Sequence, residues 1–266
     1  MKLKFYQNDW LGLNLAEIGC KINHNKSHIA GSKFYNEIYH QVIGQNDFTL
    51  SQSWLEKKKN ISDWIGSFLR SNIPSDASIL SIGCGFGVVE RPLIQEGMNI
   101  TLQECQTHSL QYLQKKYPEV FEKTTLIISE DLSDIPSNSF DVIISITSTY
   151  CLNQETLCSF LESVKRILKK DGIFLWYETV LSLEDVLDVA YRLVRNVPSQ
   201  DRVLWGWKRS LNRQHKLAKI YGFRQRKSHY FDGNNFEIFP RKFMGIPYGN
   251  SVRWQMGIYK NDKNRC

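Results

Sequence analysis

The sequence lacks any apolar run of the roughly 18 residues needed to cross a bilayer as a helix, so a membrane-spanning helix is excluded. Its six cysteines (Cys20, Cys84, Cys105, Cys151, Cys158 and Cys266) form no CxxC pair and no metal-ligand spacing. That pattern predicts reduced thiols, no metal and a cytoplasmic setting. The basic start Met1-Lys-Leu-Lys is followed by Gln7, Asn8 and Asp9, which interrupt any apolar stretch, so no secretory leader is expected. Internal repeats and low-complexity tracts are absent, which sets aside solenoids and disordered linkers.

What is present suffices for a substantial core. The chain has 266 residues, 42% of them apolar, which fits one domain with insertions or one domain plus a cap. Net charge is +7, and residues 192–227 alone hold eleven Lys and Arg against one acid, Asp201. The rest of the chain is therefore slightly acidic. Such a local patch fits a phosphate- or carboxylate-bearing partner, or a solvated helix face.

Residues 1–50 read as irregular, with a short helix near Lys33–Tyr39. Trp54, Ile61, Trp64, Ile65, Phe68 and Leu69 recur at helical spacing up to Arg70. Five apolar runs follow: 78–82, 99–103, 124–128, 140–146 and 172–177. Amphipathic segments separate them, the clearest at 155–170. Continuous apolar strands alternating with such helices predict a doubly wound, mostly parallel α/β sheet covered on both faces. Ser182-Leu-Glu-Asp185 resembles a capping box. A helix is expected over 208–221, ending at Gly222, then strands at 224–231 and 252–259. The glycine- and proline-bearing segment 232–251 between them is long for a loop.

The chemistry concentrates in Ser81-Ile-Gly-Cys-Gly-Phe-Gly87, which follows the first apolar run. Glycines there permit a tight turn and close approach of a ligand to backbone. Glu104 ends the second run, 17 residues after Gly87, where an acid accepts charge-assisted bonds from ribose hydroxyls. Nicotinamide dehydrogenases place an acid similarly, so this position alone does not choose the cofactor.

Taken in order, these features resemble the class I S-adenosylmethionine (SAM)-dependent methyltransferases. The first motif of that family reads here as Ile79-Leu-Ser-Ile-Gly-Cys-Gly-Phe-Gly87. A dinucleotide fingerprint would require glycine at Val88. The resemblance implies Glu104 for ribose and Asp131, in Ser129-Glu-Asp-Leu132, for adenine. It matches Ser139-Phe-Asp-Val-Ile-Ile-Ser145 to the fourth strand, and Leu168-Lys-Lys-Asp-Gly172 to the turn before the fifth. The implied cofactor set is Ser81, Gly83, Cys84, Gly85, Gly87, Glu104, Cys105, Asp131, Leu132 and Ser145, with S-adenosylhomocysteine (SAH) as product. Ser81 departs from the pattern, because many members carry Asp there.

The resemblance further implies a Rossmann-like seven-stranded sheet with an antiparallel last strand. Residues 1–72 would form an N-terminal helical cap on a SAM-binding domain at 73–266, with substrate-shaping insertions at 180–222 and 232–251. Candidates for a base toward the acceptor are Tyr150, Glu178, His229 and His28. The expected reaction is methyl transfer to a small molecule, at oxygen, on an acidic metabolite or sugar, by a monomer or homodimer. The Asn/Asp-Pro-Pro-aromatic motif of base and amide N-methylation is missing, since Ile146-Thr-Ser-Thr-Tyr150 stands in its place. Alternatives are a nucleic-acid methyltransferase using the basic stretch, a non-catalytic methyltransferase-like subunit and, last, a nicotinamide oxidoreductase.

Overall fold

A computed structural model describes residues 2–7, 9–10, 13–14, 35–36, 39–40, 50, 52–180, 203–209, 211–231, 242–243, 246–247 and 253–262. His28, the capping-box segment at 182–185 and most of 232–251 lie outside the described residues.

The apolar runs form strands β2 (Ile79–Ile82), β3 (Ile100–Glu104), β4 (Thr125–Ile128), β5 (Phe140–Ile146) and β6 (Leu168–Val180). All neighbouring pairs among them are parallel, in the order β6-β5-β2-β3-β4. The chain reverses direction across the sheet beside β2, which leaves a crevice above its carboxyl end. Strand β8 (Phe223–Tyr230) pairs antiparallel with β9 (Arg253–Asn261), and β9 pairs antiparallel with β6. These seven strands are the expected Rossmann-like sheet.

Two strands were not foreseen. Strand β1 (Lys2–Gln7) pairs antiparallel with β7 (Val203–Arg209), and β7 joins β6 at Val180 opposite Arg209. The sheet thus counts nine strands among the described residues. The reading of a helix from 208 is corrected here, because Lys208 and Arg209 end a strand and the helix is Leu211–Ile220 (α6). Pairing with β1 gives β7 its backbone partners, and a partner so distant in sequence is not reported by local periodicity.

Helices cover both faces. On one, α1 (Gln52–Asn72) and α2 (Glu90–Gln95) bury Ile61, Ile65, Leu69, Leu93 and Ile94 against Val142, Ile144 and Ile173. On the other, α5 (Gln154–Ile167) buries Leu157, Leu161, Val164 and Ile167 against Ile143, Phe174 and Trp176. Strands β5 and β6 therefore send alternate residues to opposite layers, as the two-residue repeat requires. Helix α3 (His108–Lys116), followed by the short α4 (Pro118–Phe121), packs Leu113 behind the glycine loop.

Asn153 caps α5 by accepting the Thr156 amide at 2.9 Å. The helix ends earlier than the periodicity to 170 predicts. Leu168 is already extended and fully buried, and Asp171 takes a positive φ of 64°. Gly172 leaves no room for a side chain: a Cβ would lie 2.9 Å from the Asp141 carbonyl oxygen and 2.8 Å from Leu168 Cγ. Gly172→Ala is expected to lower stability by about 1–3 kcal/mol. Urea unfolding would register this as a lower midpoint at unchanged slope.

Candidate active site

The glycine loop leaves β2 at the centre of the sheet and is tied to the end of β3. Gly83 N–H donates to the Gln103 carbonyl (2.9 Å) and to Gln103 Oε1 (3.1 Å). Gly85 N–H donates to Glu104 Oε2 (2.7 Å), while Cys105 N–H donates to Glu104 Oε1 (2.8 Å). Gly83 has φ +66°, and a Cβ there would lie 2.6 Å from Ser148 Cβ. Glycine is required on both counts: the backbone conformation is left-handed, and the loop after β5 presses against it.

These turns open a cavity of about 550 Å³. Gly83, Cys84, Gly85, Glu104 and Cys105 form its floor on the β3 side, with Glu130 and Leu132 beyond them. Ile146 and Thr147 through Tyr150 wall the β5 side. Tyr35, Tyr39, Trp54 and Lys58 close it from the N-terminal part of the chain. Tyr39 packs edge-on to Phe86 of the loop at 4.9 Å, and the Tyr35 and Tyr150 hydroxyls hydrogen-bond each other.

Of the residues expected at a cofactor site, Gly83, Cys84, Gly85, Glu104, Cys105 and Leu132 line the cavity. Three others stand just behind it. Ser81 is buried and donates to Glu90 Oε1 at 2.6 Å. Gly87 faces Leu113, and Ser145 hydrogen-bonds Ser148 at 2.7 Å. Asp131 is exposed and outside the cavity wall, with its carboxylate accepting the Ser133 amide at 2.7 Å. The Ser133 side chain, together with this turn-capping bond, holds the carboxylate below its ordinary range. The neighbouring Glu130 faces the cavity instead, because the chain turns directly after β4.

The base candidates separate in the same way. Tyr150 is in the wall, but burial raises its phenol well above the ordinary range. His229 stacks on Trp64 at 4.9 Å and meets Phe231 edge-on at 4.8 Å, away from the cavity wall. Glu178 is buried behind Thr149, whose amide (2.7 Å) and hydroxyl (2.6 Å) both donate to its Oε1. Its Oε2 is buried without a partner. Burial pushes this carboxyl up to about 7, against the opposing effects of the Thr149 bonds, Arg209 and Lys58.

Several residues of the site were not anticipated: Tyr35, Tyr39, Lys58, Glu90 and Thr149. Two carried a readable signal. Lys58 falls on the stripe of Trp54, Ile61 and Ile65 in α1, and Glu90 shares the buried face of Leu93 and Ile94 in α2. A charge on an apolar stripe is costly to bury unless it is paired or hydrogen-bonded. The basic stretch also divides. Arg209 is buried and donates to the carbonyls of Thr149 (3.5 Å) and Leu152 (2.6 Å), and Arg213 donates to Gln154 at 3.0 Å. Lys216, Lys219, Arg224, Arg226 and Lys227 are exposed.

The donor set suits a SAM-type ligand. Glu104 is buried; its Oε1 accepts the Cys105 amide and thiol, its Oε2 accepts the Gly85 amide, and Oε2 keeps acceptor capacity for a ribose hydroxyl. Leu132 and Cys105 offer apolar surface for an adenine ring, and the glycine loop leaves the backbone bare beside it. Among the described residues, no cluster of three His, Cys, Asp or Glu could hold a metal, and no helix is long and apolar enough to cross a membrane.

Residues 80–176 match the methyltransferase domain family model. No curated protein gives a significant match to the sequence. Among solved structures, the magnesium protoporphyrin IX methyltransferase of Synechocystis with bound SAH superposes with a TM-score of 0.62 at 13% identity, covering 87% of this chain and 98% of that one. The Burkholderia thailandensis 1,6-didemethyltoxoflavin-N1-methyltransferase gives 0.58 at 12% identity, covering 87% of each chain. A Galdieria sulphuraria structure described as a putative sarcosine dimethylglycine methyltransferase gives 0.58 at 12%, covering 87% of this chain and 98% of that one. Identities this low carry the fold alone. Residues 80–176 are thus similar to the methyltransferase domain, and the chain has the fold of class I methyltransferases that use S-adenosylmethionine.

Proposed function

We propose that the enzyme methylates a hydroxyl of a small acceptor held between the glycine loop and the wall formed by Tyr35, Thr149 and Tyr150. Bound SAM supplies an electrophilic methyl on a sulfonium. The chain must align the acceptor oxygen, keep water out and take up one proton. The single observation that carries the choice of oxygen is Glu178, a buried carboxyl pushed up to about 7 and hydrogen-bonded to a residue of the cavity wall.

Glu178 itself lies one layer behind the wall. Thr149 connects it to the cavity: its hydroxyl donates to Glu178 Oε1 at 2.6 Å and accepts from Trp176 Nε1 at 2.8 Å. One lone pair of that hydroxyl is left for an acceptor O–H. In this reading the acceptor proton passes to Thr149 Oγ1 as the Thr149 proton passes to Glu178. An unprotonated amine would need no such relay.

Residues 1–72 would then act as a lid on the domain at 73–266, which is supported by Tyr35, Tyr39, Trp54 and Lys58 lining the cavity. An acidic group on the acceptor rests on the basic stretch at 192–227 as a whole, because the exposed cations of α6 and β8 do not line the cavity. Incubating the enzyme with labelled SAM and paired acceptors, each hydroxyl compound beside its amine analogue, tests the reading. Transfer to hydroxyls is expected; transfer confined to amines or to nucleic acid would sink it.

A further inference from the structure

Lys58 and Glu90 are opposite charges buried at the same end of the cavity, and both line it. Neither is explained by packing. Lys58 reaches in from α1, where its ammonium makes one long hydrogen bond to Thr147 Oγ1 (3.4 Å) and lies 5.3 Å from the Trp54 ring. An ammonium can donate three hydrogen bonds, so most of its capacity is open. Glu90 and Glu178 are the carboxylates that act on it, yet neither is in ion-pair contact with it among the described residues. Glu90 reaches the cavity from the first turn of α2 and accepts the Ser81 hydroxyl at 2.6 Å. A buried cation and a buried anion left short of each other are unfavourable without a ligand.

Position in the sheet says which part of the ligand they would meet. Glu104 and Glu130 stand over β3 and beyond β4, at the adenosine end. Lys58 stands opposite Thr147 at the end of β5, and Glu90 opposite Ser81 on β2. A ligand laid from β3 across the glycine loop toward β5 brings its far end between the two. In SAM and SAH that end is an α-amino acid, with one carboxylate and one ammonium.

We propose that Lys58 and Glu90 form a two-charge clamp for this zwitterion, with Lys58 on the carboxylate and Glu90 on the ammonium. Glu90 thereby supplies, from the helix, the negative charge that the strand end lacks at Ser81. The Ser81 hydroxyl holds it in place. This rests on the cofactor reading above and assigns the residues that recognise the cofactor's amino-acid end.

The test compares SAH with 5′-methylthioadenosine, which keeps the adenosine and thioether but has no amino acid, by calorimetry on the full chain. The wild-type protein is expected to bind SAH the more tightly, by roughly a hundredfold. Lys58→Met and Glu90→Gln should each weaken SAH about tenfold to a hundredfold while leaving methylthioadenosine unchanged, which also shows that the variants are folded. Adding Ser81→Asp to Glu90→Gln should restore much of the SAH affinity. Decarboxylated SAM should lose affinity for the wild-type protein and show no further loss with Lys58→Met. The clamp is overturned, with cofactor use intact, if wild-type protein binds SAH and methylthioadenosine equally. Variants that weaken both ligands alike, or neither, overturn it as well. If wild-type protein binds none of these ligands, the cofactor reading falls and the clamp with it.

Discussion

Glu104→Ala is expected to lower affinity for SAH by about a hundredfold or more. The side chain does two things in the structure. It accepts the Gly85 amide at 2.7 Å and the Cys105 amide at 2.8 Å, which fixes the loop and the chain beyond β3. It also keeps acceptor capacity over the cavity for a ribose hydroxyl. Hydrogen bonds to a charged group contribute about 1.5–3 kcal/mol each, and about 1.4 kcal/mol is tenfold in affinity. Removing it loses the ribose bond and leaves two N–H groups to find other partners. Glu104→Gln should fall nearly as far, because one of its amide N–H groups would face the Gly85 or Cys105 N–H. Calorimetric titration of SAH into each variant reads the effect. An affinity within a factor of three of the wild type would mean that Glu104 does not contact the ribose.

Glu178→Gln is expected to slow methyl transfer by about a hundredfold to ten-thousandfold at pH 8, the range for loss of a general base. The wild-type rate should rise with pH through about 7, where Glu178 gives up its proton, and the variant should lose that inflection. Stability should move in a linked way. The folded-state value of about 7 lies above the ordinary 4.5, so between these pH values the native state holds a proton that the unfolded chain has released. The contribution of Glu178 to stability is therefore fully present below 4.5 and lost as pH rises through 7. Its full size is about 3 kcal/mol, at 1.36 kcal/mol per unit. Denaturant midpoints measured from pH 4.5 to 7.5 should show a steeper decline for the wild type than for Glu178→Gln. A rate profile with the same inflection in both proteins would remove Glu178 from the chemistry. Thr149→Val then separates relay from scaffold: loss of rate with the inflection near 7 kept in what remains points to the hydroxyl as the path.

What the sequence disclosed follows from how each feature is built. The inner parallel strands were legible because they are buried on both faces and so read as unbroken apolar runs; the four residues of β2 are all buried, whereas β4 at the sheet edge exposes Thr125 and Ile128 and was legible from its apolar composition alone. The glycine loop and Glu104 were legible because a backbone-lined turn followed by an acid at a strand end is a local pattern. The β1–β7 ribbon was not, because its partners, such as Lys2 opposite Arg209 and Lys4 opposite Trp207, lie about 200 residues apart in sequence. Asp131 lies outside the cavity wall while Glu130 lines it, because the turn after β4 decides which of two adjacent acids faces inward. Lys58 sits in the charged run Glu56-Lys-Lys-Lys59, in which only the angle around α1 singles it out. His229 sits on a late strand as foreseen, yet its ring is taken up by Trp64 and Phe231. Side-chain direction at an edge is set by tertiary neighbours, which periodicity alone does not supply.

The most direct test of the central claim is a titration of SAM, SAH and NADH into the wild-type protein. One site with SAH binding in roughly the micromolar range, matched by SAM and with no NADH binding, is the predicted result. Silence toward both SAM and SAH, or binding of NADH in their place, would contradict it.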